Sequence, residues 1–298
     1  MKILWFLILI LLFACSSDNE RGIKMTMRAL AANDTPLTHP EPGEWLYEHK
    51  EKGQTYKEYI QSSPSSPFLQ RKVIYLQPVG GFSPIQRDVI HYTAEYLQTF
   101  FGLEVHISPT LDNTVVPDSA KRTGRDGNEQ FLASYILSNQ LMTRIPDDAI
   151  VYMALTEKDL YPKPSWNFVF GLASYKSRVG VTSIYRFSDY QLDSNNYNRC
   201  LERLIKISSH EIGHMFSMKH CTHALCTMNG TNSVTETDGK PNRLCSECTG
   251  KLIWNLKIDP ASRLKQLREF FIRHKLEDDL DKINADIELL TAKKLFKE

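Results

Sequence analysis

His210-Glu211-Ile212-Gly213-His214-Met215-Phe216-Ser217-Met218-Lys219-His220-Cys221 is the stretch that decides how this 298-residue chain folds and what it carries. Two imidazoles at i and i+4 stand one helical turn apart, so both can reach one metal ion. Glu211 cannot share their direction, yet it lies close enough to poise a water at that ion. His220 offers a third nitrogen. Three protein ligands with one open position are the pattern of a catalytic zinc site.

The helix that carries the pair is expected from Asn198 to about Phe216. At about 100° per residue, Leu204, Ile205, Ile212 and Met215 fall within about 60° of Leu201, whereas His210 and His214 fall near about 180° and 220°. One face can therefore pack on a sheet while the imidazoles face a cleft.

Four cysteines follow, Cys221, Cys226, Cys245 and Cys248. Two close pairs at this separation read as a structural zinc site with four thiolate ligands. The alternative is two disulfides, Cys221–Cys226 with Cys245–Cys248 or the crossed pairing. Metal is favoured because a C-x2-C pair suits one ion better than an unstrained local disulfide.

Upstream, strands alternate with helices. Val73–Leu76, Leu103–Ile107, Ala149–Leu155, Asn167–Ala173 and Val179–Tyr185 read as five strands. Ser83, Pro84 and Gln86 form a helix start with a capping box, and Gly102 supplies the stop. Asn128 is expected to cap another helix with Phe131, Leu132, Tyr135 and Leu141 on one side. The alternation predicts an α/β fold with a partly parallel sheet. Beyond Asp259-Pro260, apolar residues from Leu264 to Leu290 recur at mostly helical spacing among many charges, predicting one or two amphipathic helices in 258–298.

The amino end reads differently. Lys2, an apolar run from Ile3 to Phe13 and Ala14-Cys15 make an export signal, too short to span a bilayer. Leu12-Phe13-Ala14-Cys15 resembles the bacterial lipobox, in which the cysteine becomes the lipid-bearing first residue. Residues 1–15 are thus expected to be a signal peptide, 16–35 a polar tether and 36–72 an ordered arm, since free linkers rarely carry aromatics such as Trp45, Tyr47, Tyr56 and Tyr59. The catalytic domain is expected over 73–257, with the cysteine region at 221–248. This organisation predicts an exported, membrane-anchored lipoprotein, periplasmic or outer-membrane facing.

His210 to Cys248 resembles the archaemetzincin signature HExxHxxGxxHC-x4-C-x-M-x17-C-x-x-C. The segments Gly43-Glu44-Trp45-Leu46, Ile74 to Pro78, Phe101 to Val105, Gly127 to Gln130, Asp159 to Pro162 and Trp166 to Gly171 are also similar to that family, so the likeness runs from about Pro36 to Asp259. It implies a zinc-dependent peptidase of the metzincin clan with a mixed, mostly parallel five-stranded sheet, an active-site helix and a second zinc held by the four cysteines, two ions per chain. It also implies a Met-turn at Met228. The family glycine between the second and third histidines is Ser217 here. A serine at positive φ costs on the order of 1 kcal/mol or forces another turn, so the placement of His220 rests on that residue. The cysteine interval is one residue shorter, a loop change between Met228 and Cys245.

The expected reaction is peptide-bond hydrolysis, with Glu211 as general base and a peptide or protein as substrate. The alternative is a catalytically silent, zinc- and peptide-binding lipoprotein. A net charge of +1, from 36 Lys+Arg against 35 Asp+Glu, gives no global field for nucleic acid, and the cysteine region lacks a basic cluster interleaved with aromatics.

Overall fold

Strands β1 (Val73–Val79), β2 (Val105–Ile107), β5 (Ala149–Thr156), β7 (Gly171–Ala173) and β8 (Val179–Ser183) form the central sheet in the order β2-β1-β5-β8-β7. All neighbours are parallel except β7, which pairs antiparallel with β8 and forms one edge. The architecture is that of a computed structural model whose described residues are 20–188 and 191–295. The signal segment and Cys15 lie outside them. No helix among the described residues is long and apolar enough to cross a membrane.

Alternation along the buried strands sorts side chains onto two faces. Ile74, Leu76, Val151, Met153 and Leu155 join the larger core with helices α4 (Pro84–Phe101) and α6 (Tyr197–Met215). Tyr152, Ala154, Val179 and Val181 face the opposite core. Ser83 caps α4 in the capping box that the sequence predicts, and Gly102 ends it at φ 62°.

A second, three-stranded sheet joins β3 (Lys121–Thr123), β4 (Glu129–Leu132) and β6 (Asp159–Tyr161). It corrects the expectation of a helix capped by Asn128. The Asn128 amide instead donates to Asp159 at 2.9 Å, and Phe131 pairs with Leu160. Helix begins only at α5 (Ala133–Tyr135) and continues as a π-helical turn over Ile136–Leu141. Phe131 and Leu141 still share one core, reached by a strand followed by a helical turn rather than by one helix.

The strand expected over Asn167–Ala173 is laddered only at β7. Its first half makes a backbone bridge, Val169 to Leu160, and is also held by side chains: Arg122 donates to the carbonyls of Pro164, Trp166 and Asn167, and Gln130 donates to Asn167 O at 2.9 Å.

The amino-terminal part departs most from expectation. Residues 20–30 are helical (α1), not a tether. Ile23 and Leu30 are buried, and Asp34 accepts from Arg243 Nη1 at 2.9 Å. A polar composition concealed a single apolar stripe, Ile23, Met27 and Leu30. The arm that follows carries α2 (Trp45–Glu48) and α3 (Tyr56–Gln61), with Tyr59 fully buried. After α7 (Val234–Asp238) and α8 (Ser246–Leu256), two amphipathic helices, α9 (Pro260–His274) and α10 (Glu277–Leu295), close the chain, with α9 packed on α4 through Leu267, Phe270 and Phe271.

Candidate metal centre and active-site cleft

Helix α6 ends at Met215, and the chain turns sharply to bring His220 back over the helix. The turn is made at Ser217, which adopts φ 66°. Ser217 N–H donates to His214 O at 2.8 Å and Met218 N–H to Gly213 O at 3.0 Å, capping the helix as a glycine would. The left-handed cost falls on a residue gripped from outside. The Ser65 N–H donates to Ser217 Oγ at 3.1 Å, and Tyr59 O–H donates to Phe216 O at 2.8 Å. Two contacts from the arm thus stabilise the turn.

His210, His214 and His220 come together, each offering one ligand atom within 4.8 Å of the others. His210 Nδ1 bonds Thr227 O at 2.9 Å, and His214 Nδ1 bonds Met218 O at 2.7 Å. A carbonyl oxygen only accepts, so Nδ1 carries the proton on both rings and Nε2 carries a lone pair. The two Nε2 atoms face each other at 3.0 Å. Opposed lone pairs at that distance repel unless a cation lies between their axes, so the donor set fits zinc. Burial, with the charge of His220, pushes the His210 imidazole down to about 3, and burial holds His214 well below its ordinary value. Both rings are neutral at pH 7, as ligands must be.

His220 is oriented by Glu51 of the arm, whose carboxylate accepts from Nδ1 at 2.8 Å. Burial would raise the Glu51 carboxyl, but the hydrogen bond and charge of His220 outweigh it and hold the group below the ordinary range. Sequence reasoning missed Glu51. Its partner is 169 residues away, and nothing local marks it.

Glu211 is buried beside the histidines. A Cβ on Gly171 would stand 2.6 Å from Glu211 Oε1, so the edge strand β7 approaches the carboxylate only because residue 171 has no side chain. Burial pushes the Glu211 carboxyl up to about 8. Met228 lies beneath the same helix, where a Cβ on Gly213 would collide with its sulfur.

These groups line a cleft of about 380 Å³. Gly171, Leu172 and Phe168 form one wall, and Asn229 to Asn232 form part of the other. Trp45 lies against Gly230 and stands edge-on to His220 at 4.9 Å. Trp45, His49 and Trp166 form a ring chain from the arm to the opposite rim, with centroid separations of 4.1 and 6.0 Å. The Tyr175 ring lies 4.9 Å from His214, and burial with the charges of Glu211 and Glu51 pushes its phenol up to about 12, leaving an O–H donor at neutral pH.

Cys221, Cys226, Cys245 and Cys248 are buried, unbridged and mutually within 4.8 Å. Backbone N–H groups of His223, Met228 and Cys245 point at the sulfurs of Cys221, Cys226 and Cys226, at 3.4, 3.4 and 3.3 Å. Such donors stabilise thiolates. The two clusters share backbone: Cys221 follows His220, and Thr227, which orients His210, lies between Cys226 and Met228.

Comparison with known proteins identifies the family. The peptidase family M54 profile matches residues 133–253. Archaemetzincin-2 of Homo sapiens is 31% identical over 264 residues, covering 78% of this chain and 73% of its own. The chain belongs to the archaemetzincin family. It is a zinc metallopeptidase. Archaemetzincin of Thermococcus kodakarensis is 31% identical, covering 63% of this chain and 98% of its own. The crystal structure of archaemetzincin from Methanopyrus kandleri superposes with a TM-score of 0.52 at 30% identity, covering 64% of this chain and 99% of that one. Helix α1 and the arm lie outside the M54 match.

Proposed function

We propose that this metallopeptidase holds its catalytic zinc on His210, His214 and His220 and uses Glu211 as general base. The observation that carries the reading is the convergence of three imidazoles, two with Nδ1 committed to carbonyls, beside a buried carboxylate. Zinc there would supply Lewis-acid polarisation of the scissile carbonyl and activate water near neutral pH. A bound cation would hold the Glu211 carboxyl ionised against the burial that raises it, and the carboxylate takes the water proton and returns it to the leaving amine. The edge strand β7 offers backbone groups to an extended peptide, which gives affinity with little sequence choice. The Tyr175 O–H, protonated at neutral pH, is a donor available to substrate in the cleft.

The cysteine cluster is proposed to hold a second, structural zinc, supported by four unbridged sulfurs and three N–H groups directed at them. Ser217 takes the turn a glycine would take, and no observation favours the silent-binder alternative. Lipid attachment at Cys15 and an exported, membrane-anchored location are supported by the basic start, the apolar run and the lipobox-like sequence.

The decisive experiment is Glu211→Gln. The variant is expected to retain two zinc ions per chain and lose turnover of a peptide library. Retained turnover would overturn the assigned role. Mass analysis of the amino-terminal peptide tests the lipid.

A further inference from the structure

The hairpin that closes the arm exposes two adjacent large apolar side chains. Phe68 is 69% and Leu69 73% exposed, the two highest values among the large hydrophobic residues described. Leu69 takes φ 49°, and Phe68 bridges Arg71 across the turn. A strained turn thus holds both side chains out in water, where neither contributes to a core.

Several contacts put this tip at the end of the molecule where α1 begins. Ile23 of α1 clusters with Tyr56 and with Ile253 near the end of α8. Asn255, two residues on from Ile253, donates to Ser65 O at 2.8 Å. Ser65 is three residues from Phe68, a reach of at most about 11 Å. The half-buried Trp254 lies there too, with Lys257 Nζ 4.7 Å from its ring centroid. Exposed cations border the same end: Arg21 on α1, Lys57 on α3, and Arg71 and Lys72 after the tip. None of these four forms an ion pair among the described residues. Glu20 is paired with Lys24. Glu58, Glu247 and Asp148 accept from neutral donors, the Thr55 N–H, the Tyr56 N–H and the Tyr75 hydroxyl, and with the exposed Asp147 they keep their charge, so the cations nearest the apolar pair are the adjoining Arg71 and Lys72.

We propose that this end of the molecule is a membrane-docking face, with Phe68 and Leu69 entering the headgroup–acyl boundary of a bilayer and the adjoining Arg71 and Lys72 meeting its phosphates. Apolar side chains flanked by Lys and Arg are the composition that interfacial binding requires. The inference rests on the proposed lipid at Cys15, which identifies the occupant. Cys15 is five residues before the first described helical residue, and five residues reach at most about 18 Å. The start of α1 is therefore confined near the bilayer, and the Phe68–Leu69 tip shares that end. One acyl signal alone gives only marginal anchoring, so a second, protein-borne contact has a physical purpose.

The test uses the full chain as processed by its host, carrying Phe68→Trp, in phosphatidylethanolamine–phosphatidylglycerol vesicles with brominated acyl chains. Relative to the parent chain, the variant should lose roughly twofold or more additional fluorescence, because a side chain at the acyl boundary meets the bromines. Adding R71E and K72E should reverse that loss, and peptidase activity should stay unchanged throughout. Absence of extra quenching in a chain that mass analysis shows to be acylated would overturn the docking face and leave the anchor standing. Quenching in a chain without acylation would support the face and remove only the anchor. Cross-linking of position 68 to a second copy in vesicle-free buffer would assign the tip to self-association and overturn the proposal.

Discussion

Glu51 and His220, 169 residues apart in the chain, are joined by a 2.8 Å hydrogen bond that fixes which imidazole nitrogen faces the other two histidines. The arm is therefore part of the candidate metal site. Removing the carboxylate with Glu51→Ala should weaken zinc binding or activity by about 10–100-fold, the usual effect of losing such a partner. Chelator competition checks it. Unchanged zinc affinity would show that Glu51 does not orient the ring.

Ser217 tests how the arm stabilises an awkward turn. Ser217→Ala keeps the left-handed cost but loses the hydroxyl that accepts from Ser65, so it should destabilise by about 1 kcal/mol. Ser217→Gly relieves the backbone and loses the same bond, so it should be near-neutral. Denaturant titration of the two variants reads the order. Equal stability of the Ala variant and the parent would remove the role given to that hydrogen bond.

Gly171→Ala places a methyl group where Glu211 now lies. The carboxylate is the far end of a flexible side chain, so the fold should tolerate the change while the base is displaced. Turnover should fall by about 10²-fold, with zinc content unchanged. A normal kcat would mean that Glu211 has room the structure does not show.

The two metal clusters should fail together. Thr227 O, which orients His210, is flanked by Cys226 and Met228, and Cys221 adjoins His220. Cys226→Ser is thus expected to lower both zinc content and melting temperature, unlike Glu211→Gln. Full activity with one zinc lost would show the sites to be independent.

His274 predicts an acid sensitivity. It is buried against Tyr92 and Phe270, with both ring nitrogens unpartnered. Burial, with the charge of Arg273, lowers its folded-state pKa below the ordinary 6.5, against a smaller raising effect of Glu95. The unfolded chain therefore takes up the proton first. The stability that depends on a neutral ring is complete above about pH 6.5 and declines as pH falls below it. His274→Phe should flatten that slope in urea titrations between pH 7 and 5. An unchanged slope would assign the acid sensitivity to other groups.

The active-site helix, the capping box at Ser83 and the five-strand sheet were legible because each is written in contiguous residues with a fixed period. The reading of Asn128 as a helix cap failed for a definable reason. Phe131 and Leu132 satisfy a strand as well as a helix over so short a run, and the Asp159 carboxylate that selects the strand comes from a distant element. Helix α1 reads as a tether because Ile23, Met27 and Leu30 make a stripe too short to stand out among polar residues until Arg243 and Ile253 cover it.

The sequence by itself determined the candidate metal ligands, since the identity and spacing of three histidines and four cysteines are local chemistry that no packing can supply. Only the tertiary structure decided how those ligands are aimed: Glu51 on His220, Ser65 on Ser217 and Gly171 against Glu211. Those contacts join positions separated by 40 to 169 residues, and a chain reports its neighbours in space only after burial has chosen them.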